Sequence, residues 1–294
     1  IDECSGGMNR HKFWLENCFP PAFNYVKYDP DVFQPNLHRL GYAAAVLTDT
    51  AISSSEKPRD GFDIHEWDEL RAGELNQWNW LGRPLGPVQH LARQQPNLLQ
   101  GVDLSSLITT SAAKVDGPSG LELTGNGDDI EFSLDVPGHL LGEDLTIFIA
   151  LSADPIAGYP ATRNRLFELT DTVGDKVVMS WAGTKPFEAG FYFKDLNAAQ
   201  LGAEIESSER LMLHSVTAHA HPDICYRIFE NGVVIANPSL DPFTFDVSAL
   251  LPGMNLQHLE AHRNQDDTVN TGLPAGDQIQ LPAKDAVFLI RQED

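Results

Sequence analysis

The residues of this 294-residue chain best suited to bond-breaking chemistry are carboxylates in a stretch rich in aromatic rings. Hydrolysis of a glycosidic bond needs two carboxyl groups flanking it, one as acid and one as nucleophile or base. Glu3, Glu16 and Asp49 are the candidate catalytic carboxylates, with Asp2 beside them. Asp68 and Glu69 follow Trp67 directly and are candidates for holding a substrate. Trp67, Trp78 and Trp80 offer flat apolar faces on which sugar rings stack. Trp78 and Trp80 share a face if residues 75–81 are extended. The competing uses are structural: rings that pack an interior, and carboxylates that cap helices or face solvent.

Other chemistries find less support. His219-Ala-His221 has a chelating spacing on a strand, but there is no HExxH motif and no cysteine close by, so no metal is expected there. Gly125-Asn-Gly-Asp-Asp129 has oxygens to offer Ca²⁺ but lacks the order of an EF-hand loop; a turn is the simpler reading. No other cofactor is implied. Gly-x-Ser-x-Gly and P-loop patterns are missing, which disfavours a serine hydrolase or an NTPase.

The elements that must position these residues fall into three blocks. Residues 1–95 hold four of the five tryptophans and read as α/β. A helix is expected over about 31–40, opened by Asp29-Pro30 and stopped by Gly41. The apolar run 42–47 reads as a buried strand whose polar end is Thr48-Asp49-Thr50. Helix, buried strand and polar tip form the repeating unit of an α/β barrel. Residues 53–61 read as a loop, and 93–100 as a linker.

From Asp103 the period becomes two: Ile130, Phe132, Leu134 and Val136 alternate with Glu131, Ser133 and Asp135. Strands are predicted over 121–124, 130–136, 145–151, 165–169, 176–181, 190–194 and 210–215. The turns between them include Gly125-Asn-Gly, Pro137-Gly138 and Val173-Gly-Asp175. Residues 101–221 therefore read as an antiparallel β-sandwich. In 222–294, Asn231-Gly232 between apolar runs marks a hairpin, and strands over 243–247, 257–261, 278–281 and 286–291 complete a β domain.

The formal net charge of −22 opposes binding to nucleic acid or to anionic membranes, and no apolar run is long enough to span a bilayer. Three cysteines, Cys4, Cys18 and Cys225, cannot make a complete disulfide framework; Cys4 and Cys18 could pair, but a free buried thiol is the commoner fate. The chain opens at Ile1-Asp-Glu-Cys4, as if cut from something longer.

Tyr226-Arg-Ile-Phe-Glu-Asn-Gly-Val-Val-Ile-Ala-Asn-Pro-Ser239, with Asn270-Thr-Gly-Leu-Pro274 and Leu281-Pro-Ala-Lys-Asp-Ala-Val-Phe-Leu-Ile290, resembles the β domain that follows the barrel in bacterial glycoside hydrolases. His11-Lys-Phe-Trp-Leu-Glu-Asn17 looks like a barrel strand, 42–49 like the last one, and Trp67-Asp-Glu with Leu81-Gly-Arg-Pro-Leu-Gly86 like the exit segment. The chain departs from that group by a sandwich inserted before Tyr226, and most of a barrel is missing. The resemblance implies a mainly β chain, with antiparallel sandwich modules after a partial (β/α) barrel-like N-terminal segment. It further implies a polysaccharide or oligosaccharide ligand, a secreted, extracellular or periplasmic location, and a partner chain or self-association covering the partial barrel. Hydrolysis would need the missing barrel part. The alternative class is a non-catalytic structural or adhesive extracellular protein.

Overall fold

The computed structural model describes residues 2–17, 25–28, 34–54, 67–155, 165–171, 173, 176–262 and 265–292. Helix α1 (Asp2–Asn17) precedes β1 (Tyr25–Tyr28), α2 (Pro35–Leu47), β2 (Ala51–Ser54), α3 (Asp68–Arg71) and β3 (Gln89–His90). A short α4 (Leu104–Leu107) leads into β4 (Ile108–Thr109), β5 (Ala113–Gly117), β6 (Gly120–Thr124), β7 (Ile130–Asp135) and β8 (Leu145–Ala153). Next come β9 (Arg165–Asp171), β10 (Lys176–Ala182), β11 (Phe187–Phe193), β12 (Gln200–Ile205) and β13 (Arg210–His219). The last elements are β14 (Cys225–Ile228), β15 (Gly232–Asn237), β16 (Phe243–Asp246), α5 (Val247–Leu250), β17 (Leu256–His258), β18 (Gln278–Leu281) and β19 (Asp285–Arg291). The chain is mainly β and its sheets are antiparallel, apart from the parallel pair β1–β2.

The elements form two units. The first combines α1 with Leu91–Pro222 and is a sandwich of two five-stranded sheets, β10-β9-β12-β7-β4 and β11-β8-β13-β6-β5. Alternating side chains explain it: Ile130, Phe132 and Leu134 of β7 and Phe167 and Leu169 of β9 face Ile147, Ile149 and Leu151 of β8 and Phe187 and Phe191 of β11 in one core. Helix α1 packs against the edge strands β10 and β11. Phe13 enters the core fully buried and meets Phe187 edge-on at 5.1 Å. Asn9 stands in for a missing strand: its Nδ2 donates to the Gly190 carbonyl (2.9 Å), and the Gly190 N–H donates to its Oδ1 (3.0 Å). An open edge of this kind is otherwise a template for aggregation.

The second unit comprises Phe23–His90 and Asp223–Asp294. Its sheet runs β17-β19-β15-β14-β3, and the Asn231-Gly232 hairpin joins β14 to β15 as the sequence suggests. The apolar runs of β15 and β19 are buried on both faces. Helix α2 packs on these two strands, stacking Tyr42 on Phe288 at 5.3 Å. Tyr226 meets Phe245 of the β16–β18 pair edge-on at 5.4 Å. Cys225 is buried on β14; the side chains of Cys4 and Cys18 lie outside the description, as does all of 55–66.

Four sequence expectations are corrected. Residues 11–17 lie in helix α1 and are not a strand. Residues 42–47 are the C-terminal half of α2 and are not a strand: Pro35 opens the helix, the Ala43-Ala44-Ala45 run favours it, and Gly41 is carried inside it at modest cost. Residues 93–100 are no free linker, since the Leu98 N–H donates to the Ala218 carbonyl and Leu99 is buried in the sandwich. Finally, the segment 23–90 groups with 223–294 rather than forming a separate block with α1, because β3 pairs with β14 and α2 packs on β15 and β19.

Candidate functional site

The outer face of sheet β10-β9-β12-β7-β4 carries an open groove of about 380 Å³. Period-two alternation puts the polar residues of each strand there. Register then aligns them in two rows across the sheet. One row is Glu131, Glu204, Glu168 and Met179, on β7, β12, β9 and β10. The next is Thr109, Ser133, Gly202, Thr170 and Val177, running from β4 to β10. Ser111 also lines the groove. Gly202 puts no side chain into the centre of its row. Trp181, one row along β10, sits opposite Leu166, with the Arg10 guanidinium 5.6 Å from its ring.

The three carboxylates stand on adjacent strands, about 4.8 Å apart at the backbone. Burial, then the charges of Asp129, Glu131 and Glu168, raises the Glu204 carboxyl above its ordinary value. With the hydroxyls of Thr109, Ser111, Ser133 and Thr170, this surface presents acceptors and donors at spacings that suit a polyhydroxylated ligand. Among the described residues, no group of three His, Cys, Asp or Glu is placed to hold a metal. His219 directs its Nδ1 to the Gln95 carbonyl and its Nε2 to Thr217, and His221 faces the Pro222 carbonyl. In the Gly125–Asp129 turn, Asn126 Oδ1 accepts from the Asp128 N–H and Asp129 Oδ1 from the Ser207 N–H.

The carboxylates and rings proposed from sequence lie elsewhere. Glu16 is exposed on α1, its carboxyl raised by partial burial against the opposing effect of Lys12. The side chain of Glu3 is outside the description. Asp49 follows α2 at a positive φ of 52° and forms a two-pronged ion pair with Arg227 (2.7 and 3.0 Å). Arg227 also donates to the Val46 and Leu47 carbonyls, placing a cation at the C-terminus of α2. Glu16 and Asp49 belong to different units.

Trp67, Asp68, Glu69 and Trp80 are brought together, but inside the second unit. Trp67 packs on His38 at 4.0 Å, and Trp80 Nε1 donates to the Glu69 carbonyl. Residues 73–81 are a 3₁₀ turn and tight turns rather than an extended strand, so Trp80 is buried while Trp78 is 50% exposed, stacked by Arg71. Asn270 Nδ2 donates to Glu69 Oε1 (2.9 Å) and reaches Asp68 Oδ2 (3.4 Å); the His262 N–H donates to Asp68 Oδ1. Burial raises both carboxyls, Asp68 to about 7.

This has a measurable consequence. A carboxyl raised on folding holds a proton that the unfolded chain has already lost, so its contribution to stability falls as pH rises from about 4 to about 7. Asp68→Asn, which keeps a hydrogen-bonding amide there, should flatten that part of the pH–stability profile by about 1–3 kcal/mol. Thermal unfolding from pH 4 to 8 checks this; an unchanged profile would mean that Asp68 is ionised in the fold.

Sequence reading missed the groove residues. The polar phase of 130–136 already displays Glu131 and Ser133. What it lacked was β12, which carries Glu204 and Gly202 between β7 and β9.

No family model matches the chain, and no curated protein matches it. Among solved structures it is similar to a xylan-binding module, CBM15, with 13% identity and a TM-score of 0.30 over 46% of this chain and 97% of that one. It is also similar to TmCBM61, solved with β-1,4-galactotriose, with 7% identity and a TM-score of 0.29 over 43% and 99%. A third is the C-terminal CBM6 of LamC, a marine laminarinase from Zobellia galactanivorans, with 10% identity and a TM-score of 0.29 over 40% and 95%. TM-scores of this size fix neither the fold nor the ligand of this chain.

Proposed function

We propose that the sandwich unit binds a polysaccharide or oligosaccharide in the groove across β4, β7, β12 and β9. The observation that carries this reading is the open groove itself, floored by the hydroxyls of Thr109, Ser133 and Thr170 and three carboxylates on one sheet, with the Ser111 hydroxyl beside them. Sugar hydroxyls are both donors and acceptors, and carboxylates make the stronger, charge-assisted bonds to them. A sheet holds such groups at fixed spacing, so little ordering cost falls on binding. The sugar and the linkage follow from a binding panel. Titration with uncharged xylo-, gluco- and galacto-oligosaccharides should give saturable binding to at least one. Glu204→Gln and Glu168→Ala should each weaken it at least tenfold with the fold retained. Binding that is indifferent to both substitutions would sink the proposal.

A second reading rests on another observation. β1 and β2 are parallel neighbours joined through α2, the strand–helix–strand unit repeated in a (β/α)₈ barrel. On this reading the second unit is the closing part of a glycoside hydrolase acting outside the cell, with the sandwich as its sugar-binding insert. Failure of the protein isolated from its natural source to release reducing ends from any polysaccharide it binds would remove this reading and leave the first intact.

A further inference from the structure

A second hollow lies on the opposite outer face of the sandwich, where β6 ends and β13 begins. It measures about 400 Å³ and is lined by Glu122, Thr124, Asn126, Asp154, Glu209 and Arg210. Its floor is already saturated. Asp154 Oδ1 accepts from the Ser208 hydroxyl (2.6 Å) and from the Glu209 and Arg210 N–H groups (3.1 and 2.9 Å), and its Oδ2 accepts from Arg165 (2.6 Å).

The guanidinium of Arg210 stands differently. It is 59% exposed, and the carboxylate paired with it, Glu122, is 3.8 Å away, beyond hydrogen-bond length. A planar fork of N–H donors and an acceptor-only carboxylate thus face the same hollow without satisfying each other. A vicinal diol answers both. Its two oxygens accept the parallel N–H groups of the fork, and a hydroxyl hydrogen goes to Glu122. Glu122, Asp154 and Glu209 disfavour a ligand bearing its own negative charge.

We infer that this hollow is a second glycan-binding site, selective for the adjacent hydroxyls of an uncharged sugar, so that one sandwich holds sugars on two opposite faces and can tie polysaccharide chains together. The inference rests on the groove reading above and extends it.

The test is calorimetric titration of the full chain with the uncharged oligosaccharide that binds best, together with light scattering of the matching soluble polysaccharide. Two sites per chain are expected. Arg210→Lys keeps the charge but loses the fork, and Glu122→Gln loses the anionic acceptor. Each should reduce the count to one, leave groove affinity within twofold, and abolish the rise in scattering that the native protein causes. Glu204→Gln should instead weaken the other site. A single native site lost with Glu204→Gln overturns the second site and leaves the groove standing. Two sites indifferent to both hollow variants also overturn it, and no binding at all overturns both.

Discussion

Replacing Arg39 with alanine is expected to destabilise the second unit by about 3–5 kcal/mol. Arg39 is 3% exposed and binds Asp285 through two parallel contacts, Nε to Oδ1 (2.8 Å) and Nη2 to Oδ2 (2.7 Å), with Asp266 at 2.9 Å on its other nitrogen. It joins α2 to the first residue of β19, and its charge also faces Glu69. Removing it strands the carboxylate of Asp285, itself buried, with Asp266 and Glu69 nearby. The cost is mostly that of leaving charge uncompensated, more than the worth of the pair itself. Arg39→Lys keeps the charge without the two-pronged geometry and should fall between. Amide exchange of β19 under denaturant reports the unit directly. A loss below about 1 kcal/mol would mean that water reaches Asp285.

Phe13→Ala is expected to cost the sandwich about 3–5 kcal/mol, the range for truncating a fully buried aromatic side chain. Its ring lies against Phe187 in the core between the sheets, and α1 closes the side where β10 and β11 end their sheets. Denaturant unfolding followed through amides of β9 and β11 measures the loss. A small effect would mean that α1 rests on a sandwich complete without it. Exposed Glu16→Ala, on the same helix, serves as the control and should change stability by less than about 0.5 kcal/mol.

The sandwich strands were legible where one face is buried and the other wet, which imprints period two on the sequence; 130–136 shows it most clearly, whereas β8 is buried on both faces over 145–149. β12 was not, since Gly202 and Ala203 carry weak strand preference and only its partners β7 and β9 define it. Residues 42–47 were ambiguous for a different reason: a short apolar run suits a buried strand or a helix buried on several sides, and the packing of α2 decided. The chemistry was hardest to read. Asp68 and Glu69 looked available for substrate, but their partners Asn270 and His262 lie about two hundred positions along the chain. Asp49 likewise serves Arg227. The groove depends on the register of four strands, which no local pattern encodes.

The most direct test of the central claim is the footprint of a bound oligosaccharide on the protein, mapped by side-chain and amide NMR shifts in the full chain. The account predicts concentration-dependent shifts at Thr109, Ser133, Thr170, Gly202 and the Glu131–Glu204–Glu168 row, abolished in Glu204→Gln. Saturable binding whose shifts fall in the second unit around Trp78, with this row unmoved, would contradict it.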